Sequence, residues 1–226
     1  MTRRARLVLG PVLVLAVAVM LLSLAPPPAS AFPITSVYNK NLPAPGAGPI
    51  AVGDLDGDGL TDIVAVDEVT GSWNVFLQTP TGLPTNPTFA IPGVAARKLL
   101  MVDVDGNGAK DLVALGANST SIYYQDNAAF NRTSDLRRTQ GQDIDVADMN
   151  GDGKLDIAIL TQQEIQLWFQ NDTGSWPLWP SVNLTNTTRG YQDIALADLS
   201  DDGFADVVIA KPHELRVFAQ DVGMLD

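Results

Sequence analysis

Cysteine is absent from the 226-residue chain, and histidine occurs once. Without Cys there is no disulfide framework, no thiolate metal site and no Cys nucleophile. One His excludes most imidazole-based zinc sites. That residue, His213, lies in Lys211-Pro-His-Glu214, between two apolar runs, and reads as a solvated loop residue. Positive charge is scarce: 14 Lys and Arg face 26 Asp and Glu, for a net charge of −12. A nucleic-acid partner needs a basic footprint, so none is expected. Gly-x-Ser-x-Gly, phosphate-loop and His-Glu-x-x-His motifs are missing. The chain is therefore read as a binding protein and not an enzyme. Helical 3.6-residue periodicity is also missing outside the amino terminus. What is present is 46% hydrophobic residues, 19 Gly and 15 Pro. That mixture can build a core and is rich in turns, and it points to an acidic all-β protein.

The amino terminus reads as a targeting segment. Arg3, Arg4 and Arg6 precede an uncharged apolar stretch from Leu7 to Ala25. Pro26-Pro27-Pro28 and Ala29-Ser30-Ala31 follow, the latter with the small-x-small form of a cleavage site. Residues 1–31 are assigned as a signal peptide of a secreted protein, with no membrane span after its removal. The stretch is also long enough for a signal anchor, since a span takes about 20 residues. Removing residues 1–31 takes away three Arg and no acid, so −12 becomes −15.

Four segments of the remainder align. They are Asp54-Leu-Asp-Gly-Asp-Gly-Leu-Thr-Asp62, Asp103-Val-Asp-Gly-Asn-Gly-Ala-Lys-Asp111, Asp148-Met-Asn-Gly-Asp-Gly-Lys-Leu-Asp156 and Asp198-Leu-Ser-Asp-Asp-Gly-Phe-Ala-Asp206. Their starts lie 49, 45 and 50 residues apart. An apolar run follows each loop, and a second run ends in Gln78, Gln125, Gln170 or Gln220. From the last Asp of each loop to that Gln is 16, 14, 14 and 14 residues. A further short run precedes each loop, at Pro49–Gly53, Leu99–Val102, Asp143–Ala147 and Asp193–Ala197. Weaker fourth strands are read at Thr88–Ile91, Ala129–Arg132 and Val182–Leu184. Four strands in about 48 residues is the size of a propeller blade, and the fold class is an all-β β-propeller. The repeats occupy 48–226. The segment 32–47 before them holds Ile34–Tyr38, read as a strand that closes the last blade, whose own repeat stops after its third strand.

Each acidic loop presents oxygen at alternate positions. Position 1 is Asp54, Asp103, Asp148 or Asp198. Position 3 is Asp56, Asp105, Asn150 or Ser200, and position 5 is Asp58, Asn107, Asp152 or Asp202. Position 9 is Asp62, Asp111, Asp156 or Asp206, and the carbonyl of Leu60, Ala109, Lys154 or Phe204 at position 7 completes the set. Gly at position 6 permits the positive φ that wraps such a loop. Hard oxygen donors without N or S select Ca²⁺. An EF-hand needs Glu at position 12, where this chain has Ala65, Ala114, Ile159 and Ile209. Thirteen of the 26 acids sit at these ligand positions, so metal-site charge explains much of the acidity.

The loop and the repeat length resemble the FG-GAP/VCBS repeats of integrin α-subunit propellers and related secreted proteins. The resemblance covers about residues 48–220 and loosens in the fourth loop, at Ser200 and Asp201. Propellers of that family usually have seven blades, so four repeats leave open a four-bladed ring, an arc or a truncated product. The resemblance implies a protein-recognition or adhesion module with an extracellular protein partner. A glycan-binding propeller and an accessory domain of a secreted enzyme are the alternatives. Trp73 and Trp168 read as packing residues, and Trp176-Pro-Leu-Trp179 as the best sugar-stacking candidate. Asn118, Asn131, Asn171, Asn183 and Asn186 are glycosylation sequons. Connecting loops vary between repeats while the metal loops barely do. The partner site is therefore expected on the face opposite the metal loops, with Arg137 and Arg138 as its cations.

Overall fold

The computed structural model describes residues 42, 46–126, 129–137, 139–185 and 189–220. The described residues form fifteen β-strands and no helix. They build four antiparallel sheets, laid one after another as successive blades of a β-propeller. Blade one is β1 (Ala47–Gly53), β2 (Asp62–Asp67), β3 (Ser72–Phe76) and β4 (Phe89–Pro92). Blade two is β5 (Lys98–Val102), β6 (Asp111–Leu115), β7 (Ser119–Asp126) and β8 (Ala129–Arg137). Blade three is β9 (Asp143–Ala147), β10 (Asp156–Leu160), β11 (Glu164–Trp168) and β12 (Val182–Thr185). Blade four has three described strands, β13 (Asp193–Ala197), β14 (Asp206–Lys211) and β15 (Glu214–Phe218). Each sheet runs in simple up-down order. The weak fourth strands of the first three blades are all present, β8 extending five residues beyond the run read from sequence. Ile34–Tyr38 lies outside the described residues.

Short apolar runs make these strands because both faces of each central strand are covered. In β6 and β10 every residue is buried. Side chains alternate across a strand, so one set faces the next blade and the other the preceding one. Call these the leading and trailing faces. Val64, Val66, Trp73 and Val75 on the leading face of blade one meet Leu99, Leu112 and Ala114 on the trailing face of blade two. Val113, Leu115 and Ile122 of blade two meet Ile144, Ile157 and Ile159 of blade three. Ala158, Leu160, Ile165 and Leu167 of blade three meet Ile194, Val207 and Ile209 of blade four. The core is thus a series of three inter-blade layers, and a single repeat could not form one alone. Trp73 and Trp168 are fully buried in these layers, as packing residues should be.

Polar contacts fix the blades in register. Gln125 Nε2 donates across the first interface to the Leu55 carbonyl at 2.7 Å. Gln170 Nε2 donates across the second to Val104 at 3.3 Å. At the third, the Asp143 and Asp145 carboxylates accept the N–H groups of Ile194 and Leu196, at 3.0 and 2.8 Å. Gly141 is wedged into the second interface. A Cβ there would lie 2.5 Å from Leu115 Cδ1 and 2.8 Å from Ile159 Cγ2, two fully buried side chains. Gly141→Ala should cost about 1–3 kcal/mol of unfolding free energy, the range for overpacking. Denaturant unfolding checks this, and a midpoint equal to wild type would show that the interface yields.

Candidate functional site

The acidic loops connect β1 to β2, β5 to β6, β9 to β10 and β13 to β14, so all four lie at the same end of their blades. Their backbones fold on their own carboxylates. At position 1, Asp54, Asp103, Asp148 and Asp198 each accept the N–H of the position-6 Gly through Oδ2, at 2.8 to 2.9 Å. Their other oxygens accept a second loop N–H, from Gly57, Asn107, Gly151 and Asp202. At position 5, Asp58, Asn107, Asp152 and Asp202 accept the N–H of position 7, that is of Leu60, Ala109, Lys154 and Phe204. The position-6 glycines have φ between 82° and 92°. Position 4 is left-handed too, with Gly57, Gly106 and Gly151 at 72° to 79°. In the fourth loop Asp201 holds that conformation at φ 58°, which Asp tolerates better than most residues. Sequence reading assigned the positive φ to position 6 and missed position 4, although Gly in three of four loops was the signal.

Position 9 has a role that sequence reading missed. Asp62 is fully buried and accepts Leu55 N–H through Oδ2 and Gln78 N–H through Oδ1, at 2.7 and 2.8 Å. Asp111 does the same with Val104 and Gln125, both at 2.8 Å. Asp156 does so with Met149 and Gln170, and Asp206 with Leu199 and Gln220. Each carboxylate ties the start of its loop to the end of the third strand. The recurring Gln is thus the residue whose backbone the position-9 Asp holds, and its fixed spacing from that Asp was the visible sign.

Two loops gather three carboxylates each. Oxygens of Asp54, Asp56 and Asp58 lie within 4.8 Å of one another, as do those of Asp103, Asp105 and Asp111. Loops three and four gather no such trio among the described residues, because Asn150 and Ser200 stand at position 3. Neighbouring cations distinguish the loops further. The Arg132 guanidinium pairs with Asp105 while stacking 3.7 Å from the Tyr124 ring centroid. Lys154 Nζ lies 3.4 Å from Asp152 and 3.2 Å from Asp172. For loop one the described residues record no ion pair. An all-oxygen, carboxylate-rich donor set fits a hard divalent cation, and loop one fits it best.

The opposite end of the blades carries a polar groove of about 510 Å³ between blades two and three. Asn118, Thr139, Gln140, Gln163 and Gln166 line it with Arg97. Gln166 is 7% exposed, and its Oε1 has no hydrogen-bond partner among the described residues. Arg97 donates to the Gly141 carbonyl at 2.9 Å. Arg137 is exposed at the end of β8 toward this face, and Arg138 lies outside the described residues. Trp176 lies on the acidic-loop side, where its Nε1 donates to Tyr124 Oη at 2.7 Å. Trp179 is 61% exposed. His213 sits in the β14–β15 turn with φ 68° and is exposed, as read from the sequence.

Residues 103–159 and 148–209 each match the family model for an FG-GAP-like repeat. The stretch from 103 to 209 therefore consists of FG-GAP-like repeats. No curated protein matches the sequence. Among solved structures the chain is similar to BBS1N in complex with ARL6DN, at 16% identity and TM-score 0.49. That match covers 78% of this chain and 55% of the other. It is similar to an Agrocybe aegerita lectin recognising non-reducing terminal N-acetylglucosamine, at 22% identity and TM-score 0.48, over 70% of this chain and 45% of that one. It is also similar to the V. cholerae biofilm matrix protein Bap1, at 19% identity and TM-score 0.45, over 75% and 26%. The chain spans about half or less of each of these relatives. Among the described residues no helix is long and apolar enough to cross a membrane.

Burial pushes the Asp156 carboxyl up to about 6; N–H bonds from Gln170 and Met149 oppose this, and the Asp152 and Asp148 charges add to it. Burial raises Asp111 in the same direction. An unfolded Asp titrates near about 3.9. As pH rises from about 4 to 6 the unfolded chain releases the proton first, so Asp156 lowers folding stability across that window. A divalent cation taking the proton's place would relieve this. In EDTA the Asp156 carboxyl carbon should titrate near pH 6 by NMR, moving lower with saturating calcium. A midpoint near 4 in EDTA would show that the carboxylate is content without a cation.

Proposed function

We propose that this FG-GAP-repeat propeller is an extracellular calcium-binding recognition module that binds a protein or a glycan and catalyses no reaction. The observation that carries this reading is the convergence of Asp54, Asp56 and Asp58 in a loop repeated four times. Three carboxylates so placed repel one another, and a cation between them turns that repulsion into attraction. Positions 1, 3 and 5 would hold the ion, with the position-7 carbonyl. Position 9 would add its free lone pairs while bracing the backbone. Bound calcium would lock the loop ends of neighbouring blades. The variable loops at the other end would then stand on a rigid scaffold, where recognition usually resides. The secreted reading rests on residues 1–31, and the sequon residues Asn118, Asn131, Asn171 and Asn183 are all exposed.

Calcium should raise the melting temperature and EDTA lower it, since an ion that binds only the folded chain stabilises it by mass action. Affinities near about 10⁻⁴–10⁻³ M are expected for an extracellular module. Loop one should bind among the tightest, because it has the most carboxylates and no recorded ion pair, and loop four, with Ser200, the weakest. Isothermal titration of wild type against Asp54→Ala, Asp103→Ala, Asp148→Ala and Asp198→Ala checks the ranking. No heat of binding, with an EDTA-insensitive melting curve, refutes the metal reading.

A glycan is favoured over a protein partner by the groove opposite the loops. Its lining is mostly amide and hydroxyl, the groups that pair with sugar hydroxyls, and Gln166 stands among them. A site built of such groups rejects analogues that lack the hydroxyl, because its polar groups are then left unpaired. On an array of neutral glycans, Gln166→Leu should lose about two- to tenfold in affinity, the net worth of one hydrogen bond. Calcium binding should be unchanged. Wild-type protein that binds no glycan leaves a protein partner as the reading.

A further inference from the structure

Among the described residues, the first and fourth blades repeat the pattern of the inner ones, yet no described blade covers one face of each. Position 2 of the acidic loop shows this most directly. Leu55, Val104 and Met149 are 2%, 1% and 0% exposed, each beneath the following blade, whereas Leu199 is 58% exposed. On the leading faces, Ile122 is fully buried, while Val217, at the matching position of blade four, is 51% exposed. Leu215 is 72% exposed where Thr120 is fully buried. On the trailing faces, Leu99 is 3% exposed, but Ile50, its counterpart in blade one, is 60% exposed and Val52 is 59% exposed. The strand registers fix these equivalences: Ile50 faces Ala65 as Leu99 faces Ala114, and Val208 faces Val217 as Val113 faces Ile122.

Terminal repeats of a stack normally carry a polar outer face, which keeps the stack soluble. Here both outer faces keep the aliphatic side chains of an interior blade. Polar positions of the interface persist as well. Asp193 stands in blade four where Asp143 stands in blade three, and Asp143 accepts the N–H of Ile194, whose counterpart in blade one is Ile50. Gln78 stands where Gln125 donates across an interface to the Leu55 carbonyl, whose counterpart is that of Leu199.

We propose that the leading face of blade four binds the trailing face of blade one of a second copy, and the reverse, so that two copies close a ring of eight blades. The contact continues the three interfaces already within the chain, with the same side chains at the same strand positions. Eight blades lie within the range that propellers form. Two identical head-to-tail contacts close on a two-fold axis and leave no further free face, so assembly stops at the dimer. Asp193 then accepts the Ile50 N–H of the other copy, and Gln78 donates to its Leu199 carbonyl. This proposal is independent of the calcium reading.

The experiment is mass determination by light scattering on protein expressed from its full sequence. Wild type should have twice the chain mass. Leu215→Glu/Val217→Glu and Ile50→Glu/Val52→Glu should each be monomeric with unchanged β-sheet circular dichroism. An equimolar mixture of the two should form dimers, because one intact pair of faces remains between them. A monomeric wild type, whose faces are then covered within the chain or not at all, overturns the proposal. So does a dimer that survives both double substitutions, or a mixture that stays monomeric. Should either variant lose its β-sheet signal, wild-type amide exchange at Ala47–Gly53 and Asp193–Ala197 decides instead. Protection that rises with protein concentration supports the ring, and protection independent of concentration overturns it.

Discussion

Everything at the acidic end of this protein depends on one buried carboxylate per blade. Asp62, Asp111, Asp156 and Asp206 are each at most 1% exposed, and each uses its two oxygens to accept N–H groups from two separate stretches of chain. One stretch opens the acidic loop; the other ends the third strand. A buried charge is costly unless it is paired or fully hydrogen-bonded, and here two backbone donors meet part of that cost. The rest is visible in the raised proton affinity of Asp156 and Asp111, which burial drives. The brace therefore creates a demand for positive charge at the same place where the loop assembles its other carboxylates. A hard cation would answer both needs at once.

The brace also connects the loops to the stacking of the blades. Position 2 donates its backbone N–H to the brace, and at Leu55 and Val104 its carbonyl accepts from the Gln side chain of the next blade. That Gln is the residue whose backbone N–H the next blade's own brace holds. The chain of contacts thus runs from brace to brace through each of the first two interfaces. Loop geometry and blade register are one system, and a cation at the loops would stiffen the interfaces as well as the loops.

Much of this was legible in the sequence, for a physical reason. A repeat writes the same constraint several times, so spacing that is ambiguous once becomes decisive when it recurs. The strands, their order and the loops at positions 54, 103, 148 and 198 all appear where the recurring pattern put them. What was not legible is whatever differs between copies that look alike. Val217 and Ile122 are both aliphatic, at the same place in the repeat, yet one is half exposed and the other fully buried. Composition cannot report that, because burial is set by whether another blade follows. The roles of Gln78, Gln125, Gln170 and Gln220 were hidden for the opposite reason. The part that matters at the brace is the backbone N–H, which every residue but proline has, and only the constant distance from the Asp betrayed it.

The four loops are no longer equivalent, and their differences follow a charge argument. Loop one keeps four carboxylates and no recorded counter-ion. Loop two has Asn107 at position 5, and Arg132 pairs with Asp105. Loop three has Asn150 at position 3 and its own Lys154 at position 7, whose ammonium reaches Asp152; against burial, the Asp152 carboxyl is held below its usual range first by the Lys154 N–H, then by the Asn150 side chain and the Lys154 ammonium. By contrast, Asp56 in loop one is raised, by burial first and then by the charges of Asp62, Asp58 and Asp54. Where the protein supplies a cation of its own, loop repulsion is already reduced and an external ion gains less by binding. Where it supplies none, the repulsion would remain for an ion to relieve. Loop four drops a carboxylate for Ser200 and puts Asp201 in a left-handed conformation that Gly holds elsewhere. Its fold is retained by the Asp206 brace, which shows that bracing the backbone and gathering ligands are separable tasks within one nine-residue loop.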